Sequence, residues 1–112
     1  MADKIGREDF AKLDLRVGEI KSVEAHPNAD KLLVLKVDLG EGEERTIVAG
    51  LKKYYETDEL IGKKAIFVAN LESAKLRGIE SNGIILAAVN EDHSEVKILM
   101  VDGDMEPGTR IS

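Results

Sequence analysis

The chain has 112 residues, with 16 Lys and Arg against 22 Asp and Glu, a net charge of −6 and no cysteine. That length suits one domain with a single modest core, and the missing cysteines exclude a disulfide framework and a thiolate site. No apolar run approaches the ~20 residues of a membrane-spanning helix, so the chain reads as soluble and cytoplasmic, with no membrane partner.

The start, MADKIGREDF, is polar and lacks the apolar segment of a secretory leader. Residues 1–8 read as a frayed tail. Asp9–Leu13 reads as a helical turn, with Phe10 and Leu13 packing beneath a barrel mouth or against a partner. Leu15–Glu24 is the first expected strand. Leu15, Val17 and Val23 share one parity and Ile20 breaks it, and Gly18 in that gap is expected to mark a bulge or bend. His26-Pro27-Asn28-Ala29-Asp30 is a turn, since Pro biases its neighbour away from helix and Asn and Asp accept local backbone bonds.

Leu33, Leu35, Val37 and Leu39 alternate with Val34, Lys36 and Asp38, the pattern of a half-buried strand. Gly40-Glu41-Gly42-Glu43 is the hairpin turn into a third strand, Arg45–Ala49. Thr57 is expected to cap a short helix through Ile61, with Asp58 and Glu59 in its first turn. Lys64–Ala69 is the fourth strand and Gly83–Val89 the fifth. Asn90–Glu95 is a polar turn, Val96–Val101 a sixth strand, and Met105–Ile111 closes the chain with a bend at Pro107-Gly108. Three strands, a helix, two strands and an extension give the order of an all-β, OB-type five-stranded barrel. We expect one domain over 1–112, with a core at about 10–89 and an extension at about 90–112.

The stretch Asn70–Ala88, NLESAKLRGIESNGIILAA, joins the fourth and fifth expected strands. It holds Lys75, Arg77, Ser81 and Asn82 on a connection, where binding residues collect. Arg offers a planar fork for phosphate, Lys a compact charge, and Ser and Asn neutral hydrogen bonds. The bland reading is a solvated, charged turn with glycines for backbone freedom. Total charge argues against nucleic acid, but it is uneven. Residues 45–77 carry seven Lys and Arg against four Asp and Glu, whereas 78–112 carry two against seven. Screening over about 10 Å lets a local cationic face bind an anion with modest affinity.

A catalytic reading fails on inventory. His26 and His93 are the only histidines and fall in separate turns. A metal site needs converging ligands, a catalytic triad needs partners that Ser94 beside His93 does not imply, and Gly40-x-Gly42 lacks the third glycine and helix of a dinucleotide loop. We therefore expect no catalytic residues, no metal and no cofactor. Aromatic residues are few: Phe67 reads as core, and the Tyr54-Tyr55 pair as packing for the short helix. Few aromatics beside a cationic surface suit a folded RNA read by shape and backbone rather than by base stacking.

These segments match a family. FAKLDLRVGEI, HPNADKLLVLKVDLG, RTIVAGLKKYY and VANLESAKLRGIESNGIILAA, in this order, resemble the tRNA-binding domain appended to methionyl-tRNA synthetases, and also free-standing tRNA-binding proteins and cytokine-related synthetase cofactors. The match runs from about Phe10 to Ala88 and more weakly to Ile111. The chain looks most like the C-terminal domain, or separate beta subunit, of an archaeal-type methionyl-tRNA synthetase. The resemblance implies an OB-fold with a C-terminal extension, commonly homodimeric, that binds tRNA with little sequence preference. By motif position it implies Lys31, Arg45, Asn70, Lys75, Arg77, Ser81 and Asn82 as RNA-facing residues. Two positions depart from the family pattern: Ser73 stands where Pro is frequent and Ile84 where Met is frequent. Asp14, Arg16 and Gly18 match as well.

Three readings of the chain differ in class. The first is a non-catalytic tRNA-binding module that aids a methionyl-tRNA synthetase in cis or in trans. The second is a homodimerisation module built on the segments after Asn90, motivated by the apolar run Ile98-Leu99-Met100-Val101. The third is a chaperone-like peptide binder on the same fold, which needs an exposed apolar groove that the charged 70–82 stretch does not suggest.

Overall fold

Strict alternation in Leu33–Asp38 places Leu33, Leu35 and Val37 entirely out of solvent, and this strand lies inside a curled antiparallel sheet. In the computed structural model, which describes residues 2–112, the elements are α1 (Arg7–Ala11), β1 (Leu15–Ala25), β2 (Leu33–Asp38), β3 (Glu44–Ala49), α2 (Thr57–Leu60), β4 (Lys64–Val68), β5 (Ala74–Leu76), β6 (Ile79–Ser81), β7 (Ile84–Ile85), β8 (Ala87–Val89) and β9 (Val96–Ile98). The main sheet runs β3-β2-β1-β4-β7, with β5-β6 and β8-β9 as two-stranded pairs.

The long β1 organises the sheet. Its first half pairs with β4, Leu15 opposite Val68 through Glu19 opposite Lys64, and its second half pairs with β2. The ladder with β2 shifts register between Ile20 and Ser22. That bulge lets both Ile20 and Val23 face the core despite their odd spacing. The break in parity is thus real, but it lies after Gly18. Gly18 is there for another reason: a Cβ on it would stand 2.7 Å from both Leu39 Cδ2 and Phe67 Cδ1. Phe67, Ile20, Leu33, Leu35, Leu39, Ile47 and Leu60 fill the barrel interior with no exposure. Burying one such side chain is worth about 1.5–3 kcal/mol. Leu15, Val17, Ile66 and Val68 are buried on the opposite face, outside that cluster.

The barrel closes where the β5–β6 hairpin returns to the edge of β3. The Asn82 N–H donates to the Thr46 carbonyl at 2.9 Å, and the Val48 N–H donates to Ser81 Oγ at 2.9 Å. The connection read as a loop between the fourth and fifth strands is therefore an ordered hairpin. The expected fifth strand is two short ones. At Leu86 the chain changes partners, its N–H going to Ile66 and its carbonyl accepting from Leu99. β7 pairs with β4 and β8 with β9.

The extension is stitched to the barrel. Val17 exchanges backbone bonds with Gly108 and Thr109, and the Ile111 N–H donates to Leu15. The two tyrosines tie it down as well. The Tyr54 hydroxyl donates to the His93 carbonyl at 2.7 Å, and the Tyr55 hydroxyl accepts the Ile98 N–H at 3.1 Å. The expected sixth strand is shorter than Val96–Val101, ending at Ile98 with one further bridge between Met100 and Ala65. The N-terminal helix begins at Arg7, earlier than expected, and buries nothing: Phe10 is 46% and Leu13 38% exposed, so neither packs beneath the barrel. α2 ends at Leu60, and its cap is Glu56 rather than Thr57, with the Glu59 carboxylate accepting the Glu56 N–H at 2.7 Å.

Candidate nucleic-acid interface

Between Leu76 and Ile79 the chain turns in two residues, Arg77 (φ 53°) and Gly78 (φ 94°). A type I′ hairpin needs positive φ at both central positions. Glycine adopts it freely. An arginine in the left-handed region costs roughly 1–2 kcal/mol, so this residue is held at the tip by its surroundings.

The holding group is His26. Its ring is buried, its Nδ1 accepts the Asn28 N–H at 2.9 Å, and its Nε2 stands 3.0 Å from the Leu76 carbonyl. A backbone N–H only donates, so Nδ1 is the unprotonated nitrogen. Nε2 carries the proton and donates it to Leu76, the residue before Arg77. The 26–30 turn and the hairpin tip are thereby fixed to each other. Lys31 and Arg77 come to border one shallow depression with Ala29, Asp30 and Leu32. Lys31 also borders the neighbouring depression, together with Lys53. Lys75 lies on the fully exposed β5, opposite Glu80. Lys31, Lys53, Lys75 and Arg77 make no ion pair among the described residues.

Of the other four residues singled out in the sequence, Arg45, Asn70 and Ser81 turn their side chains to internal bonds, whereas Asn82 is engaged through its backbone. Arg45 grips Glu41 with Nε and Nη2 at 2.8 and 2.7 Å, while Nη1 donates to the carbonyls of Ala69 and Asn82. The Arg45 hydrogen bond holds the Glu41 carboxyl below its ordinary range, with Arg16 adding to the effect. Arg16 does the same for Asp14, which it meets at 2.8 and 3.0 Å. Asn70 accepts the Asp14 N–H at 2.8 Å and donates to the Lys12 carbonyl at 2.6 Å, pinning the N-terminal segment to the start of the hairpin. Ser81 is buried; its hydroxyl donates to the Gly83 carbonyl at 3.1 Å while accepting from Val48. Asn82 is held by its backbone between Thr46 and Arg45. Ser73 is exposed beside β5, and Ile84 lines an apolar cleft on the side of β7.

Two contributors were not among the expected site residues. Lys53 could have been found from the KKYY run. His26 could not, because its role depends on a carbonyl fifty positions away.

A small OB barrel that offers an anchored cationic hairpin beside further lysines is, as a class, a binding module for anionic polymers. The chain belongs to the family whose model is described as a tRNA binding domain, which matches residues 15–110. It is 59% identical over 104 residues to a methionine–tRNA ligase of Pyrococcus horikoshii, covering 93% of this chain and 14% of that enzyme. The corresponding enzyme of Deinococcus radiodurans is 49% identical over 96% of this chain and 15% of its own length. The chain thus spans about one-seventh of the curated relatives it matches. Among solved structures, a MetRS related protein from Pyrococcus horikoshii superposes with a TM-score of 0.91 at 37% identity, covering 99% of this chain and all of that one. The chaperone CsaA from Bacillus anthracis gives 0.88 at 30% identity, covering 98% of this chain and all of that one.

Proposed function

We propose that the chain is a non-catalytic, cytoplasmic tRNA-binding module that reads folded RNA by shape and backbone and aids tRNA capture by a methionyl-tRNA synthetase, in cis or in trans. The observation that carries this reading is the hairpin tip. Arg77 is kept in a costly backbone conformation, anchored through His26, and set beside Lys31 with its guanidinium left for an outside anion. Lys31, Lys75 and Arg77 are the contacts in this reading. Arg45, Asn70, Ser81 and Asn82 shape the hairpin that presents them. Tethering such a weak general site to a specific one raises avidity by about 10²–10⁴ without new contacts. Mobility shift with unfractionated tRNA and with duplex DNA, at two salt concentrations, tests it. Preferential retardation of tRNA supports the reading, and no retardation at low salt overturns it.

A homodimer is proposed alongside. Leu99, Met100 and Met105 are 42%, 50% and 49% exposed on the extension, and Met100 lines a cleft with Tyr55, Lys97 and Ile98. A second copy covering this apolar surface would present two RNA faces related by symmetry. Light scattering that shows a monomer at micromolar concentration contradicts it.

A further inference from the structure

The depression that holds Lys31 and Arg77 does not end there. It shares Lys31 and Leu32 with the next one, bordered by Lys53, Tyr54 and His93. That one shares Gly50, Tyr54 and His93 with an apolar cleft of about 450 Å³. The cleft floor and walls come from Leu51, Ile84, Ile85, Ala87, Val89 and Val96. One groove therefore changes character along its length, from cations at the hairpin tip to hydrocarbon between β3 and β8. The volume of the apolar cleft falls within the range of about 300–1,000 Å³ usual for small-ligand sites.

We propose that this cleft takes one unpaired nucleobase of the bound RNA, whose flanking phosphates lie on Lys31 and Lys53. The proposal rests on the tRNA-binding reading and says which part of the RNA enters the chain. The order of chemistry along the groove carries it: a nucleotide is an anion joined through a sugar to a flat, largely apolar ring, and the groove offers cations joined to an apolar slot. Two groups stand at the junction. The hydroxyl of Tyr54 is tied to the His93 carbonyl, so its ring is set as a wall of the cleft. His93 sits at φ 60°, a rare conformation for a residue other than glycine, and this residue borders both the cationic and the apolar parts. Two acidic residues border the groove: Asp30, beside Lys31 and Arg77, and Asp92, whose carboxylate is bonded to the hydroxyl and N–H of Ser94 at 2.7 and 3.1 Å. Stacking against an aromatic wall is tolerant of base identity, which fits capture of an unpaired base without a sequence code.

The test is an amide-shift titration of the whole chain with adenosine 5′-monophosphate and, separately, with ribose 5-phosphate. The nucleotide is expected to move amides at Lys31 and Lys53 and also at Ala87 and Val96. Ribose 5-phosphate is expected to move only the lysine end. Val89→Gln puts a neutral polar group on a half-exposed wall position. It is expected to erase the response at Ala87 and Val96 and to weaken tRNA binding about tenfold, with the salt slope unchanged. Wild-type tRNA binding together with a silent cleft in both arms overturns the base pocket and leaves the tRNA-binding reading standing. Failure of the wild type to retain tRNA is the separate failure of that reading, and the nucleotide titration still decides the cleft. Shifts of the same amides by an apolar hexapeptide, with none by the nucleotide, assign the cleft to peptide and overturn the proposal.

Discussion

His26 and Leu76 are fifty residues apart and meet at 3.0 Å, imidazole Nε2 to backbone carbonyl. The other ring nitrogen is occupied by the Asn28 N–H, so the buried ring locks the hairpin to the turn at the barrel mouth. His26→Ala removes two hydrogen bonds, to the Leu76 carbonyl and from the Asn28 N–H, each worth about 0.5–1.5 kcal/mol. Hydrogen exchange at Leu76 and Ile79 is expected to quicken. Affinity for tRNA is expected to fall although every surface cation remains. Unchanged exchange across the hairpin would show that the histidine does not anchor it.

Arg45 separates bracing from binding. Its fork is filled by Glu41 and two backbone carbonyls. Arg45→Ala is therefore expected to destabilise the chain by about 1–3 kcal/mol, read as a lower denaturant midpoint, with little change in the salt slope of tRNA binding. A variant that melts like wild type and loses one unit of slope would move Arg45 to the RNA.

Acid should weaken the same corner. Glu41 and Asp14 have pKa values lowered from 4.5 and 3.8, first by hydrogen bonds from Arg45 and Arg16 respectively. A lowered folded pKa contributes stability that is fully present above the unfolded value and is lost as pH falls through the folded one. Stability is thus expected to decline below about pH 4.5, and Glu41→Gln to flatten part of that decline. Chemical denaturation of both proteins at pH 3 and pH 7 measures it.

Gly83 sits at φ 131°, and a Cβ there would stand 2.8 Å from the Val68 carbonyl oxygen. Gly62, at φ 86°, has nothing within 4 Å of that position. Gly62→Ala carries backbone strain alone, roughly 1 kcal/mol. Gly83→Val adds a collision with the backbone of β4 and is expected to lower the melting temperature well beyond it. Equal melts for the two would remove the steric account.

Much of the barrel was legible because period-2 burial leaves its mark directly in sequence, as Leu33 to Leu39 show. The charged stretch around Arg77 was legible as a connection but not as a hairpin. β5 buries none of its three residues and so carries no alternation. Residue type alone also could not divide the site. Lys31 and Arg45 are both cations in the family motif, and only the placement of Glu41 and the Ala69 carbonyl shows that one is engaged and the other exposed. Gly18 illustrates the same limit: the sequence marked an irregularity, but whether glycine served a bulge or a close contact depended on where Phe67 packs.

The most direct measurement is the affinity of Arg77→Ala for tRNA at several salt concentrations, paired with thermal melts. Arg77 stands at the hairpin tip with no ion pair among the described residues, so its loss should remove one phosphate contact and little else. The expected result is weaker binding, a log–log salt slope reduced by about 1, and a melting temperature nearly unchanged, since alanine keeps the Cβ and with it the left-handed backbone strain. Ser81→Ala, by contrast, is expected to lower the melting temperature and leave the slope intact. Wild-type affinity and slope in the Arg77 variant would contradict the assignment of this hairpin as the RNA-binding surface.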